Sequence, residues 1–166
     1  MSWAGDGFYY NAFPKPEKGK ELSQVNQSSK IYYHQLGDSQ DDDIVIFSDP
    51  ENPQISNYPS TTNDGRFLMI YRTKGTYGRS LMVKDLKKDK NEFIKIVNDY
   101  KSDISVIDHI DGKLLAITDR NAAKKKVVLI DLNNPGESEW VTIIPENENV
   151  LTSVNMINGK LVAHYM

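Results

Sequence analysis

From Phe67 to Tyr71 every side chain is apolar or aromatic, and the run follows directly on Asn63-Asp64-Gly65-Arg66. A continuous apolar run, in place of strict alternation, suits a strand covered on both faces; a short buried helix shares the signature. The aromatic content and the flanking turn favour the strand. Asp-Gly supplies the positive φ angles that a two-residue hairpin turn requires. The device recurs: Asp6-Gly7 precedes Phe8-Tyr9-Tyr10, Asp111-Gly112 precedes Leu114 to Ile117, and Asn158-Gly159 precedes Leu161-Val162-Ala163. Gly65, Gly112 and Gly159 stand 47 residues apart, and Gly7 lies 58 before Gly65. A fixed period of this size marks a repeat architecture in which each repeat is one supersecondary unit.

Taken in order, Ser2 to Ala4, Phe8 to Phe13, Lys30 to Leu36 and Ile44 to Phe47 read as four strands. A long polar loop, Pro14 to Lys30, separates the second from the third, and Asp49-Pro50-Glu51-Asn52-Pro53 ends the unit, since proline cannot donate to a central ladder. The second unit has Gln54 to Thr61, Phe67 to Lys74, Arg79 to Leu86 and Glu92 to Asn98. The third has Ser102 to Ile110, Lys113 to Asp119, Lys126 to Leu132 and Trp140 to Pro145; Val150 to Ile157 and Lys160 to Tyr165 begin a fourth.

The predicted fold class is all-β: antiparallel four-stranded blades of a β-propeller, about three and a half of them. The expected blades cover residues 1–49, 50–99 and 100–147, with a half blade over 148–166. A β-sandwich with regular hairpins is the alternative, but it does not account for the grouping in fours. Blades bury both faces against neighbours, so an incomplete ring exposes apolar surface at its two ends. The chain is therefore expected to self-associate through those open ends or to be a piece of a longer protein. Trp140, opening a strand, is expected in the core.

Charge and composition narrow the chemistry. With 20 basic and 23 acidic residues, nothing favours a polyanion, and nucleic acid is not an expected partner. The absence of cysteine excludes disulfides and thiolate chemistry. No apolar run approaches the roughly 18 residues of a membrane span, and no membrane partner is expected. No secretory signal is visible, and the compartment, cytoplasmic or periplasmic, stays open. His34, His109 and His164 show no metal spacing and are assigned structural or surface roles; no metal and no cofactor is expected. Asp41-Asp42-Asp43 reads as a solvated turn, because the spacing of a calcium loop is missing. Lys124-Lys125-Lys126 reads as a solubilising strand edge. No phosphate loop and no G-x-S-x-G elbow is present; Gly78-Arg79-Ser80 runs on into a strand. Tyr9-Tyr10 and Tyr32-Tyr33 are read as packing between blades rather than as a stacking platform for a ligand.

Several stretches together resemble a propeller segment of the prolyl oligopeptidase family. These are Trp3-Ala4-Gly5-Asp6-Gly7-Phe8-Tyr9-Tyr10-Asn11-Ala12-Phe13-Pro14, Tyr32-Tyr33-His34-Gln35-Leu36-Gly37, Asp49-Pro50-Glu51-Asn52-Pro53 and Asp64-Gly65-Arg66-Phe67, in matching order and spacing. The resemblance implies a two-domain serine peptidase in which a seven-bladed propeller caps an α/β-hydrolase domain bearing a Ser-Asp-His triad. The propeller would restrict entry to short peptides cleaved after proline. This chain has no counterpart of the hydrolase domain, so no catalytic residue is carried over. By position, Thr73-Lys74-Gly75-Thr76 corresponds to a family loop that faces the substrate cavity, and Ser56 to another lining position. The resemblance thus implies Ser56, Thr73 and Thr76 as substrate-facing residues. Relatives tend to carry arginine near position 73 and larger or softer side chains at 56 and 76.

The expected function is the propeller portion of a post-proline serine endopeptidase, gating short proline-containing peptides, with the missing hydrolase domain as partner and no activity in this chain alone. The alternative is a non-enzymatic interaction propeller of the WD40 or kelch type. No Trp-Asp dipeptide ends a blade, and no paired-glycine kelch signature appears.

Overall fold

A computed structural model describes residues 2–20, 22–23, 25–88 and 92–166; Glu21 and Gln24 of the long polar loop lie outside them, as does Met1. Fourteen strands are present among the described residues. β1 (Ser2–Ala4), β2 (Gly7–Ala12), β3 (Lys30–Gln35) and β4 (Ile44–Phe47) form the first sheet. β5 (Ser56–Thr61), β6 (Phe67–Thr73), β7 (Arg79–Asp85) and β8 (Ile94–Val97) form the second. β9 (Ile104–Ile110), β10 (Lys113–Thr118), β11 (Lys126–Ile130) and β12 (Val141–Ile144) form the third, and β13 (Leu151–Ile157) pairs with β14 (Lys160–Tyr165). Every pairing is antiparallel between chain neighbours, so each sheet is a meander.

The continuous apolar run of β6 explains how the sheets stack. Successive strand residues point to opposite faces. Phe67 and Met69 pack with Leu114, Ala116, Val128 and Ile130 of the third sheet. Leu68 and Ile70 pack on Tyr9 and Ile31 of the first. All four β6 residues are at most 1% exposed. β10 repeats the plan: Leu114 and Ala116 face the second sheet, while Leu115 packs with Leu151 and Val154 of the fourth. Burying one such side chain contributes about 1.5–3 kcal/mol. The first strands lie on one side of the stack: β5 contacts β1, and β9 contacts β13.

Polar ties reinforce these contacts. The Val106 amide donates to the Tyr71 hydroxyl at 2.8 Å, crossing from the third sheet to the second beside the β9 bulge. Burial pushes the Tyr71 phenol above its ordinary pKa. Between the first two sheets, Asn57 donates its amide to Ser29 Oγ and its side-chain nitrogen to the Ser29 carbonyl, at 3.2 and 2.8 Å.

Four expectations need correction. The Asp111-Gly112 and Asn158-Gly159 turns have positive φ at both residues, as a two-residue hairpin demands. Asp64-Gly65 instead sits in a five-residue connection between Thr61 and Phe67, with only Gly65 at positive φ. The reason is Asp64 Oδ1, which accepts the Thr62 hydroxyl and the Arg66 amide and wraps the loop around itself. In the first sheet the turn residues are Gly5 and Asp6, and Gly7 already belongs to β2.

Trp140 does not open a strand. It caps a 3₁₀ turn over Glu137–Glu139 and donates Nε1–H to the Pro135 carbonyl at 2.9 Å, half-buried against the core between the second and third sheets. The acidic stretch is not wholly solvated either. Gln40–Asp42 forms a 3₁₀ turn, and the Asp43 side chain, only 4% exposed, accepts from the Tyr10 hydroxyl and bonds His34 Nδ1 at 2.7 Å.

The two outermost faces are open. On the first sheet, Tyr9 and Tyr33 face the second sheet, while Trp3 and Val45, 59% and 48% exposed, lie on the opposite face with Phe8, Tyr10 and Tyr32. On the fourth, Ile157 and Val162 are more than half exposed. Tyr10 and Tyr32 stack on each other at 5.4 Å on the open face, with no described blade beyond them. No helix among the described residues is long and apolar enough to cross a membrane.

Candidate functional site

Meander topology sends the β6–β7 loop, the β10–β11 loop and the starts of β5 and β9 to one rim of the stack. Ser56 and Thr73 are cross-strand partners at that rim, both half-buried. Thr76 stands exposed in the loop that follows. The structure thus gathers all three residues on one end of the second sheet.

That loop is clamped at its base. Gly78 has φ +77°, and a Cβ there would lie 1.9 Å from the Tyr100 carbonyl oxygen, so only glycine lets the two backbones approach. The Arg79 amide donates to the Ser102 carbonyl at 3.0 Å, and its Nε to Asp103 Oδ1 at 3.1 Å. One residue before the glycine, Tyr77 donates its hydroxyl to Asp119 Oδ2 at 2.9 Å, reaching from the second sheet to the third. Asp119 is fixed in turn, because its Oδ1 accepts the Asp103 amide at 2.7 Å. The Asp119 carboxylate holds the Tyr77 phenol above its ordinary pKa. Nearby, Arg120 grips Asp99 through two nitrogens at 3.0 and 2.9 Å and also reaches Glu137. Those two carboxylates, Asp99 first, raise the Arg120 pKa, and the Arg120 guanidinium lowers that of Asp99.

The arginine that this chain carries next to Thr73 is Arg72, and it does not face the rim. Its Nε donates to Asn57 Oδ1 at 3.1 Å and its guanidinium pairs with Asp49, over the Phe47 ring. It therefore ties the first two sheets together.

A groove of about 600 Å³ runs between β9 and β13, lined by Ser105, Ile107, Ile117, Thr152 and Asn155 among others. A hollow of about 90 Å³ beside it shares Ser105, Ile117 and Lys125 and reaches Arg79 and Asp119 at the rim. Tyr77 and Asp119 escaped the sequence reading. The available signal was an aromatic residue set between two glycines, Gly75 and Gly78, in a hairpin loop.

The histidines are occupied structurally: His34 with Asp43, His109 with Asp64, His164 with Thr152. Among the described residues, no group of three His, Asp or Glu is placed to hold a metal ion.

Meanders of four, four, four and two strands, packed face to face in chain order, are blades of a β-propeller. The chain belongs to the prolyl oligopeptidase family: the model described as prolyl oligopeptidase, N-terminal beta-propeller domain, matches residues 1–166. It is 34% identical over 167 residues to a prolyl endopeptidase of Elizabethkingia meningoseptica, covering all of this chain and 23% of that protein. It is 31% identical over 164 residues to a dual function macrocyclase-peptidase of Galerina marginata, covering 94% of this chain and 22% of that one. The solved prolyl oligopeptidase B of Galerina marginata, bound to a 25mer macrocyclization substrate, superposes with a TM-score of 0.88 at 30% identity over 99% of this chain and 24% of its own. Oligopeptidase B from Trypanosoma brucei, at 19% identity and a TM-score of 0.75, shares the fold. The chain thus spans about a quarter of the length of the relatives it matches.

Proposed function

We propose that this chain supplies consecutive blades of a propeller that gates short proline-containing peptides to an α/β-hydrolase domain. The observation that carries the reading is the rim on which Ser56, Thr73 and Thr76 converge, in a chain matched along its whole length to the propeller of a peptidase family. These residues offer hydroxyls to a peptide backbone, and acyl transfer would come from the serine nucleophile of the hydrolase domain. In this reading the blades run over residues 1–49, 50–99 and 100–147, with a half blade over 148–166. In the parent enzyme, Thr76→Trp should lower kcat/KM severalfold for a proline-containing hexapeptide and leave a minimal Gly-Pro reporter little changed. Equal values for both substrates in variant and parent would refute the gating role. The chain by itself should not cleave the Gly-Pro reporter; cleavage blocked by a serine-directed inhibitor would contradict this.

We also infer self-association when the open faces have no blade to cover them. Trp3 and Val45 at one end and Ile157 and Val162 at the other are 48–59% exposed, and exposed apolar patches favour association. Light scattering that returns a monomer across a wide concentration range would overturn this.

A further inference from the structure

We propose that Tyr77 is a specificity-determining side chain of the rim, a stacking platform on which an apolar ring of a bound peptide, such as prolyl, lies. The proposal rests on the reading of this rim as peptide-facing. Tyr77 is 59% exposed, unusual for a ring whose polar end is already committed. Its hydroxyl is pinned to Asp119, so the ring is held in place while its faces stay open. Asp119 cannot swing away, because the Asp103 amide holds its other oxygen. The loop cannot slide, because Gly78 is locked against Tyr100. The platform is therefore preorganised, and little ordering entropy is lost when a ligand lands on it.

The surroundings select a neutral, ring-bearing partner. Arg79 is paired with Asp103, and Arg120 with Asp99 and Glu137, so neither guanidinium near the ring is left to draw an anionic ligand. What the rim adds is hydroxyls: Ser56, Thr73 and Thr76, with the Tyr77 oxygen itself able to accept a peptide N–H. Beside Asp119 the rim dips into the hollow that continues to the β9–β13 groove, which gives an extended chain room beyond the ring. An aromatic face with adjacent hydroxyls fits an uncharged peptide carrying a saturated or aromatic ring.

The test is NMR on this chain titrated with acetyl-Ala-Gly-Pro-Phe-amide, with the variants Tyr77→Ala and Tyr77→Phe. The expected result is movement of the Tyr77 ring signals, upfield shifts of the prolyl protons from the ring current, and binding weakened about three- to tenfold in Tyr77→Ala. Tyr77→Phe should keep the upfield shifts. Unchanged amide signals for β6 and β10 in both variants would show that the fold survives. Movement at Ser56, Thr73 and Thr76 with a silent Tyr77 and full affinity in Tyr77→Ala would overturn the inference and leave the rim reading standing. The ring would then serve as a contact for another protein domain. No movement at any of the four residues would overturn both.

Discussion

His109 Nε2 lies 3.0 Å from Asp64 Oδ2 and ties the end of β9 to the β5–β6 connection of the neighbouring sheet. Beside it, Asn63 Nδ2 donates to Asp108 Oδ2 at 2.7 Å, so two consecutive residues of the turn hold two consecutive residues of the strand. The tie gives Asp64 its electrostatic character. Burial would raise its carboxyl, but the Arg66 amide, the His109 ring and the Thr62 hydroxyl outweigh that and hold it at about 2.

A carboxyl with a depressed folded-state pKa stabilises the native state above its unfolded value and ceases to do so as pH falls through the folded one. The Asp64 contribution should therefore be complete above about pH 4 and fade between about pH 4 and 2. Thermal melts of Asp64→Asn and the parent chain should differ at pH 6 and converge near pH 2. A constant difference would show that Asp64 titrates normally.

The same geometry selects a tautomer. With Nε2 donating to the carboxylate, neutral His109 carries its proton there, and Nδ1, buried with no partner, is left without one. Nitrogen chemical shifts at pH 8 should report the Nε2–H form; the Nδ1–H form would mean that the ring is turned.

At the rim, Asp119→Asn removes the negative charge that opposes Tyr77 ionisation. The Tyr77 phenol should then titrate at lower pH than in the parent chain, as read from its ring carbon shift. An unmoved titration curve would show that the bond is not formed in solution.

Neighbouring residues of β6 should weaken different interfaces. Phe67→Ala should cost about 3–5 kcal/mol and Leu68→Ala about 2–5 kcal/mol, since both side chains are fully buried. Hydrogen exchange should accelerate chiefly at the contact of the second and third sheets in the first variant and of the first and second in the other. Identical exchange patterns would refute the alternation of faces.

Trp140→Ala removes both core packing and an indole bond, at a cost of about 2–3 kcal/mol because the ring is only half-buried. A melting temperature equal to the parent's would place the ring in solvent.

Much of the architecture was legible along the chain. Strands are local: four to seven residues of apolar or alternating character bounded by Gly, Pro, Asp or Asn declare themselves. The meander follows from short connections, and the run from Phe67 to Ile70 announces a strand buried on both faces. The errors sit where side chains answer to distant partners. Asp43 read as a solvated turn residue because nothing near it in sequence reveals Tyr10 and His34 waiting across the sheet. Asp64 read as half of a two-residue turn; its carboxylate instead gathers the nearby Thr62 hydroxyl and Arg66 amide and is held from across the blades by His109, 45 residues on, which no local pattern announces. Of the rim, Ser56, Thr73 and Thr76 were reached through family resemblance, while Tyr77 was passed over because its significance lies in Asp119, 42 residues away.

By itself the sequence determined the strands, their grouping in fours and the family, because period, turn chemistry and motif are properties of neighbouring residues. Only the tertiary structure decided which charges are spent in ties between blades and which side chains stay free at the rim. Arg72 and Tyr77 stand five positions apart in one hairpin, yet the first is absorbed into the contact with Asp49 and Asn57 while the second is propped open by Asp119. That division depends on distances across blades, and no local pattern of residues encodes it.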